Sequence, residues 1–206
     1  MRGGAPGDVA ARPWTQRSVG LLVLVVILLG ATACRHPSDH DSSDAVFAVH
    51  MVPHHELGVR LIELAAVQAD DVRLRELAFE MSGYHRRELT QLRGWRTAWS
   101  RPSRSMPLDS MGPMGTMDIA PAAAAPSMPL GMLTDAELAD LSSRSGRSFD
   151  RRWLELMIRH HEGGVAMADL EVRSGRCKPA LALAATISSV QREQITAMHS
   201  LLGQLG

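Results

Sequence analysis

The sequence predicts an all-α protein, a four-helix bundle built from two duplicated helix hairpins together with a short extra helix. Residues 44–99 are repeated within residues 134–206 at a constant offset of 106, without a gap. Apolar residues recur at helical spacing in both copies, and aromatic residues make up only 4% of the chain. Because neither hairpin can bury its apolar face alone, we expect the two to pack as one bundle.

The first hairpin occupies residues 44–99. Asp44 or a neighbouring serine is predicted to cap its first helix. Asp70 and Asp71 are predicted to end that helix and to cap the second. The two helices are therefore expected to be antiparallel neighbours joined by a short turn.

The second unit, residues 134–206, begins with an additional element. A Thr-x-x-Glu capping box at Thr134 predicts the short extra helix. Asp150 is the predicted cap of the long helix that follows, and Gly175 is its predicted C′ glycine. Pro179 is predicted to open the last helix, where its missing N–H costs nothing.

Residues 1–33 are predicted to be a signal peptide. Arg12 and Arg17 precede the apolar run Val19–Leu29. That run is shorter than the roughly 20 residues that a membrane-spanning helix needs. We therefore expect the mature protein to be extracytoplasmic.

The residues before Cys34 resemble a bacterial lipobox, in which the cysteine becomes the lipidated N-terminus. The sequence thus predicts a lipoprotein anchored to the cell membrane at Cys34, with residues 34–43 as a tether. Residues 31–33 also fit an ordinary A-x-A cleavage site, which would give a secreted or periplasmic protein. Cys177 is predicted to be a lone thiol, able to pair with Cys34 only without lipidation.

Residues 100–133 are predicted to be a linker. Their proline density is incompatible with a helix. Methionine is unusual in a linker because a solvated segment has no packing use for it. The methionines are Met106, Met111, Met114, Met117, Met128 and Met132.

Composition excludes several classes of protein. Lysine plus arginine number 22, as do aspartate plus glutamate, so the formal charge is zero and a nucleic-acid-binding surface is not expected. Two cysteines exclude a disulfide-rich scaffold and a four-cysteine zinc site. The unusual features are 12 methionines and 9 histidines.

The repeated motif Met-x-x-His-His-Glu-x-Gly is the candidate metal site. On a helix its methionine lies one turn from both histidines, so the thioether and imidazole groups can face one side. The candidate ligands in the motif are Met51, His54 and His55 in the first copy and Met157, His160 and His161 in the second.

The second helix of each hairpin adds further candidates. With a turn near residue 70, the antiparallel partner of His55 is His85, and Met81 lies close to the motif. In the second unit the equivalent geometry places Gln191 opposite His161. Met167, two turns beyond the second motif, is a further candidate ligand.

Thioether and imidazole donors together favour copper, Cu(I) more than Cu(II), and disfavour Mg²⁺ and Ca²⁺. The alternative is that the methionines fill the core and the histidines make interior polar contacts. That alternative describes a structural or partner-binding bundle without metal. The glutamates of the motif, Glu56 and Glu162, are expected to be solvated rather than ligands.

No catalytic motif is present, and we predict that the protein is not an enzyme. A zinc peptidase needs His-Glu-x-x-His, but valine stands where the second histidine should be, at Val59 and Val165. None of the histidines has glutamate three residues before it, as a di-iron carboxylate bundle requires. A redox enzyme that uses the bound copper is a weaker interpretation.

Residues 149–168, Phe-Asp-Arg-Arg-Trp-Leu-Glu-Leu-Met-Ile-Arg-His-His-Glu-Gly-Gly-Val-Ala-Met-Ala, resemble the signature of the bacterial domain of unknown function 305 family. Residues 51–55, Met-Val-Pro-His-His, resemble its first copy. The resemblance implies a ferritin-like bundle, an extracytoplasmic location and, for some members, copper binding. Carried over by position, it implicates the two motifs together with Met167 and Met198.

The sequence departs from the family pattern at four positions. Arg159 stands where the family often has proline, Glu56 and Glu162 where it often has glutamine, and Leu92 where methionine is common. The change at Leu92 removes a thioether from the second helix, where Met81 and His85 are the available substitutes. Together these observations predict an extracytoplasmic copper-binding protein that buffers, sequesters or hands over the ion; no protein partner is identified.

Overall fold

The computed structural model describes residue 34 and residues 42–99 and 130–205. The predicted signal peptide, nearly all of the tether, and the linker up to residue 129 lie outside the described residues. The described chain is helical with short connections, which confirms the all-α class. The helices are α1 (Ser42–Gln68), α2 (Val72–Trp99), α3 (Asp135–Ser143), α4 (Gly146–Ser174) and α5 (Lys178–Gln204).

The four long helices form two hairpins, α1 with α2 and α4 with α5. The hairpins meet mainly through α1 and α4, while α2 and α5 barely touch. One bond across this central contact is buried, since the Trp153 indole N–H donates to the carbonyl oxygen of Leu61 at 2.7 Å. This packing fits the predicted helical bundle.

The short helix α3 begins as predicted. Thr134 Oγ1 accepts from the Glu137 N–H at 3.2 Å, and the Glu137 carboxylate accepts from the Thr134 N–H at 2.9 Å. Just before it, Met132 is partly buried against the hydrophobic core. This one methionine of the predicted linker therefore has a packing role.

Two aspartates related by the repeat hold the two hairpins to each other. The buried carboxylate of Asp150 accepts from the backbone N–H groups of Asp70 and Asp71, at 2.9 and 2.8 Å. In the same way, Asp44 accepts from the N–H groups of Arg176 and Cys177. Each carboxylate therefore satisfies the interhelical turn of the opposite hairpin.

Two of the predicted helix ends need correction. The N-cap of α4 is Ser145, and Asp150 lies inside the helix because its carboxylate is used by the other hairpin. Gly175 has φ −75°, so it is not a left-handed C′ glycine. A Cβ on Gly175 would instead meet the carboxylates of Glu171 and Asp44, so glycine is needed there for close approach. Of the caps predicted for α1, Asp44 lies inside the helix, which begins at Ser42, and its carboxylate is used by the other hairpin. Asp71 accepts from the Arg73 N–H at the start of α2, and Pro179 lies in the first turn of α5, as predicted.

The hydrophobic core consists of two clusters at opposite ends of the bundle. The Trp153 cluster packs residues 57–81 of α1 and α2 against the first half of α4 and the end of α5. The disulfide cluster packs the start of α1 and the second half of α2 against the end of α4 and the start of α5. Each long helix thus contributes one half to each cluster.

The prediction that Cys177 is a lone thiol is wrong. Its sulfur is bonded to that of Cys34, across 143 residues of sequence, and both residues are buried in the disulfide cluster. The Trp99 indole N–H donates to the Cys34 carbonyl at 2.7 Å. The disulfide occupies the sulfur that a lipid would modify, so this arrangement is incompatible with the predicted anchor at Cys34.

Replacing Asp150 with alanine should lower the free energy of unfolding by about 2–4 kcal/mol, because two backbone donors lose a charged acceptor. Urea denaturation followed by circular dichroism measures this loss. Asp140→Ala is the control, since that residue makes only exposed ion pairs and should change stability by less than about 1 kcal/mol. Equal effects of the two substitutions would contradict the role assigned to Asp150.

Candidate metal centre

A layer of buried polar side chains separates the two apolar clusters. Each long helix carries buried polar side chains between its two cluster segments, and on α4 these are followed by Gly163, Gly164 and Val165. We call this set the polar layer. It consists of His54 and His55 on α1, His85 and Glu88 on α2, His160 and His161 on α4, and Gln191 and Gln194 on α5.

Both histidines of each pair face the interior, although consecutive residues of a helix point about 100° apart. This is because α1 has two neighbours in the bundle. His54 faces α4, where its Nε2 donates to the His160 carbonyl at 2.9 Å, and its ring stacks on the His160 ring at 3.7 Å. His55 faces α2, where its Nε2 donates to the Glu88 carboxylate at 2.9 Å.

The remaining histidines are held in the same manner. His161 Nε2 donates to the Gln194 amide oxygen at 2.8 Å, which repeats the His55–Glu88 contact in the second hairpin. His85 Nδ1 donates to the Met81 carbonyl at 3.2 Å. His160 Nδ1 donates to the Gly131 carbonyl at 3.3 Å. All five imidazoles therefore have one ring nitrogen placed against an oxygen acceptor, which fixes the N–H on that nitrogen.

The opposite ring nitrogens carry the lone pairs. Within the described part of the chain, no hydrogen-bond partner exists for Nδ1 of His54 and His55 or for Nε2 of His85 and His160. A buried polar atom without a partner is costly. The same arrangement is typical of metal-binding histidines, which donate their second N–H to an oxygen and present the other nitrogen to the ion.

Burial keeps the imidazoles of His54, His85, His160 and His161 neutral. It lowers the pKa of His54 to about 3 and that of His161 to about 4. Burial also holds the pKa values of His85 and His160 well below 6.5, and the neighbouring histidines lower them further. A neutral imidazole is the form that binds a metal, so no proton has to leave these four rings at neutral pH.

The methionines lie in the apolar clusters on either side of the layer. Met51 belongs to the disulfide cluster, whereas Met81, Met157 and Met198 belong to the Trp153 cluster; all four are fully buried. Met167 is only partly buried, against the disulfide cluster. The four fully buried thioethers are thus about one helical turn from the layer, but they also serve as core side chains.

The described residues contain no group of three or more histidine, cysteine, aspartate or glutamate side chains arranged to hold a metal ion. The donor chemistry of the layer fits a soft cation, since neutral imidazoles and thioethers suit copper. The candidate donors are therefore gathered in one layer. Among the described residues, however, no three histidine, cysteine, aspartate or glutamate side chains already form a metal site.

The predicted proximity of His85 to His55 is confirmed, whereas the residue that His161 contacts on α5 lies about one turn beyond the predicted Gln191. The ring of His85 lies 5.0 Å from that of His55, as the hairpin geometry predicts. In the second hairpin, His161 bonds to Gln194 rather than to Gln191, which instead lies against Gly164. Glu56 is solvated and pairs with an arginine on the surface.

Sequence reasoning missed the residues that orient the histidines. Glu88 and Gln194 each stand 33 residues after the histidine they hold, so the repeat itself contained the signal. Gly131 was also missed, and its φ of +75° favours glycine. Its loop packs on α4 at Gly163, where a Cβ would collide with the Leu130 carbonyl. The Gly-Gly pair after the second motif was the visible sign of this close approach.

Metal-free protein should lose stability as the pH falls below 6.5. Above that value His54, His85, His160 and His161 are neutral in both states; below it the unfolded chain takes up protons that the folded chain cannot. Each such histidine then costs about 1.4 kcal/mol per pH unit until its folded-state pKa is reached. Urea denaturation with a chelator, from about pH 7.5 to pH 4.5, tests this. A flat free energy over that range would contradict the burial of neutral rings.

None of the described helices is long and apolar enough to cross a membrane.

No curated protein sequence matches the chain. A DUF305 protein from Streptomyces coelicolor that is predicted to be secreted is 30% identical, with a TM-score of 0.63, and the match covers 80% of this chain and 93% of that one. A DUF305 fragment from Deinococcus radiodurans is 28% identical, with a TM-score of 0.61 and coverages of 80% and 97%.

The Cu(I)-bound form of CopM is 23% identical, with a TM-score of 0.59 and coverages of 78% and 96%, a likeness that shows the fold. CopM has also been solved with Ag, with Cu(II) and in the apo form. The family model described as Domain of unknown function (DUF305) matches residues 44–202. The implied ferritin-like relationship stays a prediction. The chain belongs to the DUF305 family.

Proposed function

We propose that this protein binds copper in the polar layer outside the cytoplasm, and that it buffers the ion or hands it over. The observation that supports this most directly is the state of the histidines. Five buried imidazoles each have one nitrogen against an oxygen acceptor. Four of them leave the opposite nitrogen without a partner in the described chain.

Copper is favoured over other ions by the surrounding donors. Fully buried thioethers lie on both sides of the layer, Met51 on one and Met157 on the other. Thioethers select soft ions, so we propose Cu(I) ahead of Cu(II). The fold shared with CopM, which has been solved with Cu(I), Ag and Cu(II), supports this assignment.

We propose binding and transfer rather than catalysis, because the layer is closed to substrates. All its histidines are almost completely buried. Binding an ion would relieve the unpartnered nitrogens, so occupancy should also stabilise the fold.

The extracytoplasmic location has two supports. A disulfide persists in oxidising compartments and is rare in the cytoplasm, and the Streptomyces coelicolor relative is predicted to be secreted. For Cys34, the disulfide favours cleavage by the ordinary A-x-A route over lipid attachment, because one sulfur cannot serve both purposes.

A metal-free structural bundle is the second candidate. It is favoured by the stacking of His54 on His160 and by the lack of a three-ligand group among the described residues. In that case the histidines would be interior polar contacts, and substituting them would lower thermal stability equally with and without copper.

Titration with Cu(I) against a colorimetric chelator separates the two candidates. We expect tight binding by the wild type and its loss when Met51 and Met157 become leucine and His54, His55, His160 and His161 become alanine. His199→Ala, which removes an exposed histidine outside the layer, should bind as the wild type does. Equal binding by wild type and the sixfold variant would refute the proposal.

The mass of the protein purified from its native compartment tests the fate of Cys34. The disulfide form should be lighter than the fully reduced form by two hydrogen atoms and should react with thiol reagents only after reduction. A mass increased by acyl chains at the N-terminus would establish the lipoprotein instead.

A further inference from the structure

We propose that the polar layer binds its ion asymmetrically, between His85 Nε2 of the first hairpin and His160 Nε2 of the second, beside Gly58, whose lack of a side chain lets both nitrogens approach. This inference rests on the proposed copper binding and names the site within it. It also explains why one repeat has histidine at position 85 while the other has glutamine at the equivalent position, 191.

Two imidazole nitrogens that carry lone pairs lie close to Gly58. A Cβ on Gly58 would lie 2.9 Å from His85 Nε2 and 3.0 Å from His160 Nε2. The two nitrogens are therefore no more than about 5.9 Å apart. An ion with bonds of about 2 Å to both needs a separation of about 4 Å or less. The upper limit of about 5.9 Å permits this separation, which the two side chains would adopt around the ion.

Both nitrogens are prepared to bind. Each belongs to a ring whose Nδ1 donates to a backbone carbonyl, of Met81 for His85 and of Gly131 for His160. Neither Nε2 has a hydrogen-bond partner in the described chain. A third protein ligand is not required, because Cu(I) accepts two donors in a linear arrangement.

His85 is also at the centre of the layer. Its ring centroid lies 5.0 Å from that of His55 and 5.5 Å from that of His161. An ion held by His85 would therefore be surrounded by imidazoles that belong to both hairpins. Such a site is complete only when the two hairpins are packed together.

The position related by the repeat lacks these donors. A Cβ on Gly164 would meet the side-chain oxygen of Gln191, and the nearest atom of His54 is the carbon Cε1. An amide oxygen is a poor ligand for a soft ion. The two related glycines therefore have different neighbours: the three atoms nearest a Cβ on Gly58 include two imidazole nitrogens, whereas the three nearest a Cβ on Gly164 include none.

His85→Gln tests the site, because it replaces the imidazole beside Gly58 with the type of side chain that Gln191 places beside Gly164. Cu(I) affinity should fall more than about tenfold, as even the outer partners of metal ligands are worth 10–100-fold. Gln191→Leu, at the related position, should stay within about twofold of the wild type. Gly58→Ala should also weaken binding, whereas Gly94→Ala, with no neighbour within 4 Å, should not.

X-ray absorption at the copper edge supplies a readout that does not depend on the variants folding. The wild type should show a first shell of imidazole nitrogens. A shell dominated by sulfur would overturn the site, as would wild-type affinity in folded His85→Gln, and in both cases the proposed copper binding would stand. If the wild type bound no Cu(I), both proposals would fall.

Discussion

Burying five imidazoles in the middle of a helical bundle is the constraint on which this structure depends. An imidazole removed from water must stay neutral and must find a partner for its N–H. The oxygen acceptors are two side chains, two carbonyls within the histidine-bearing helices, and the carbonyl of Gly131 in the loop before α3. The apolar clusters on either side keep water out, and this burial lowers the pKa values of His54, His85, His160 and His161.

The duplication explains how so few elements satisfy so many groups. Positions related by the offset of 106 occupy equivalent places, and His54 stacks on its own counterpart, His160, where α1 crosses α4. The aspartates that hold the turns are also counterparts, Asp44 and Asp150. Polar groups that one hairpin cannot satisfy are thus satisfied by the other, which makes the hairpins depend on each other for more than hydrophobic contact.

Much of the architecture could be predicted because its signals are local or periodic. The capping box at Thr134 and the repeat both depend only on sequence spacing. The role of Asp150 could not be predicted, because a local capping rule does not reveal a turn 80 residues away. The orientation of both members of each histidine pair could not be predicted for a similar reason, since it depends on α1 and α4 each having two neighbours. The Cys34–Cys177 bond depends on where the segment before α1 lies, which no helical pattern encodes.

The disulfide also gives the two hairpins a second covalent connection besides the linker. Because it joins the residue before the first hairpin to the turn of the second, the two hairpins are connected covalently at two places along the chain. A protease that cut anywhere between Trp99 and Leu130 would therefore leave a nicked molecule in one piece. The two halves would keep a high effective concentration for each other. The bundle and its layer of histidines would therefore stay together after the linker is cut.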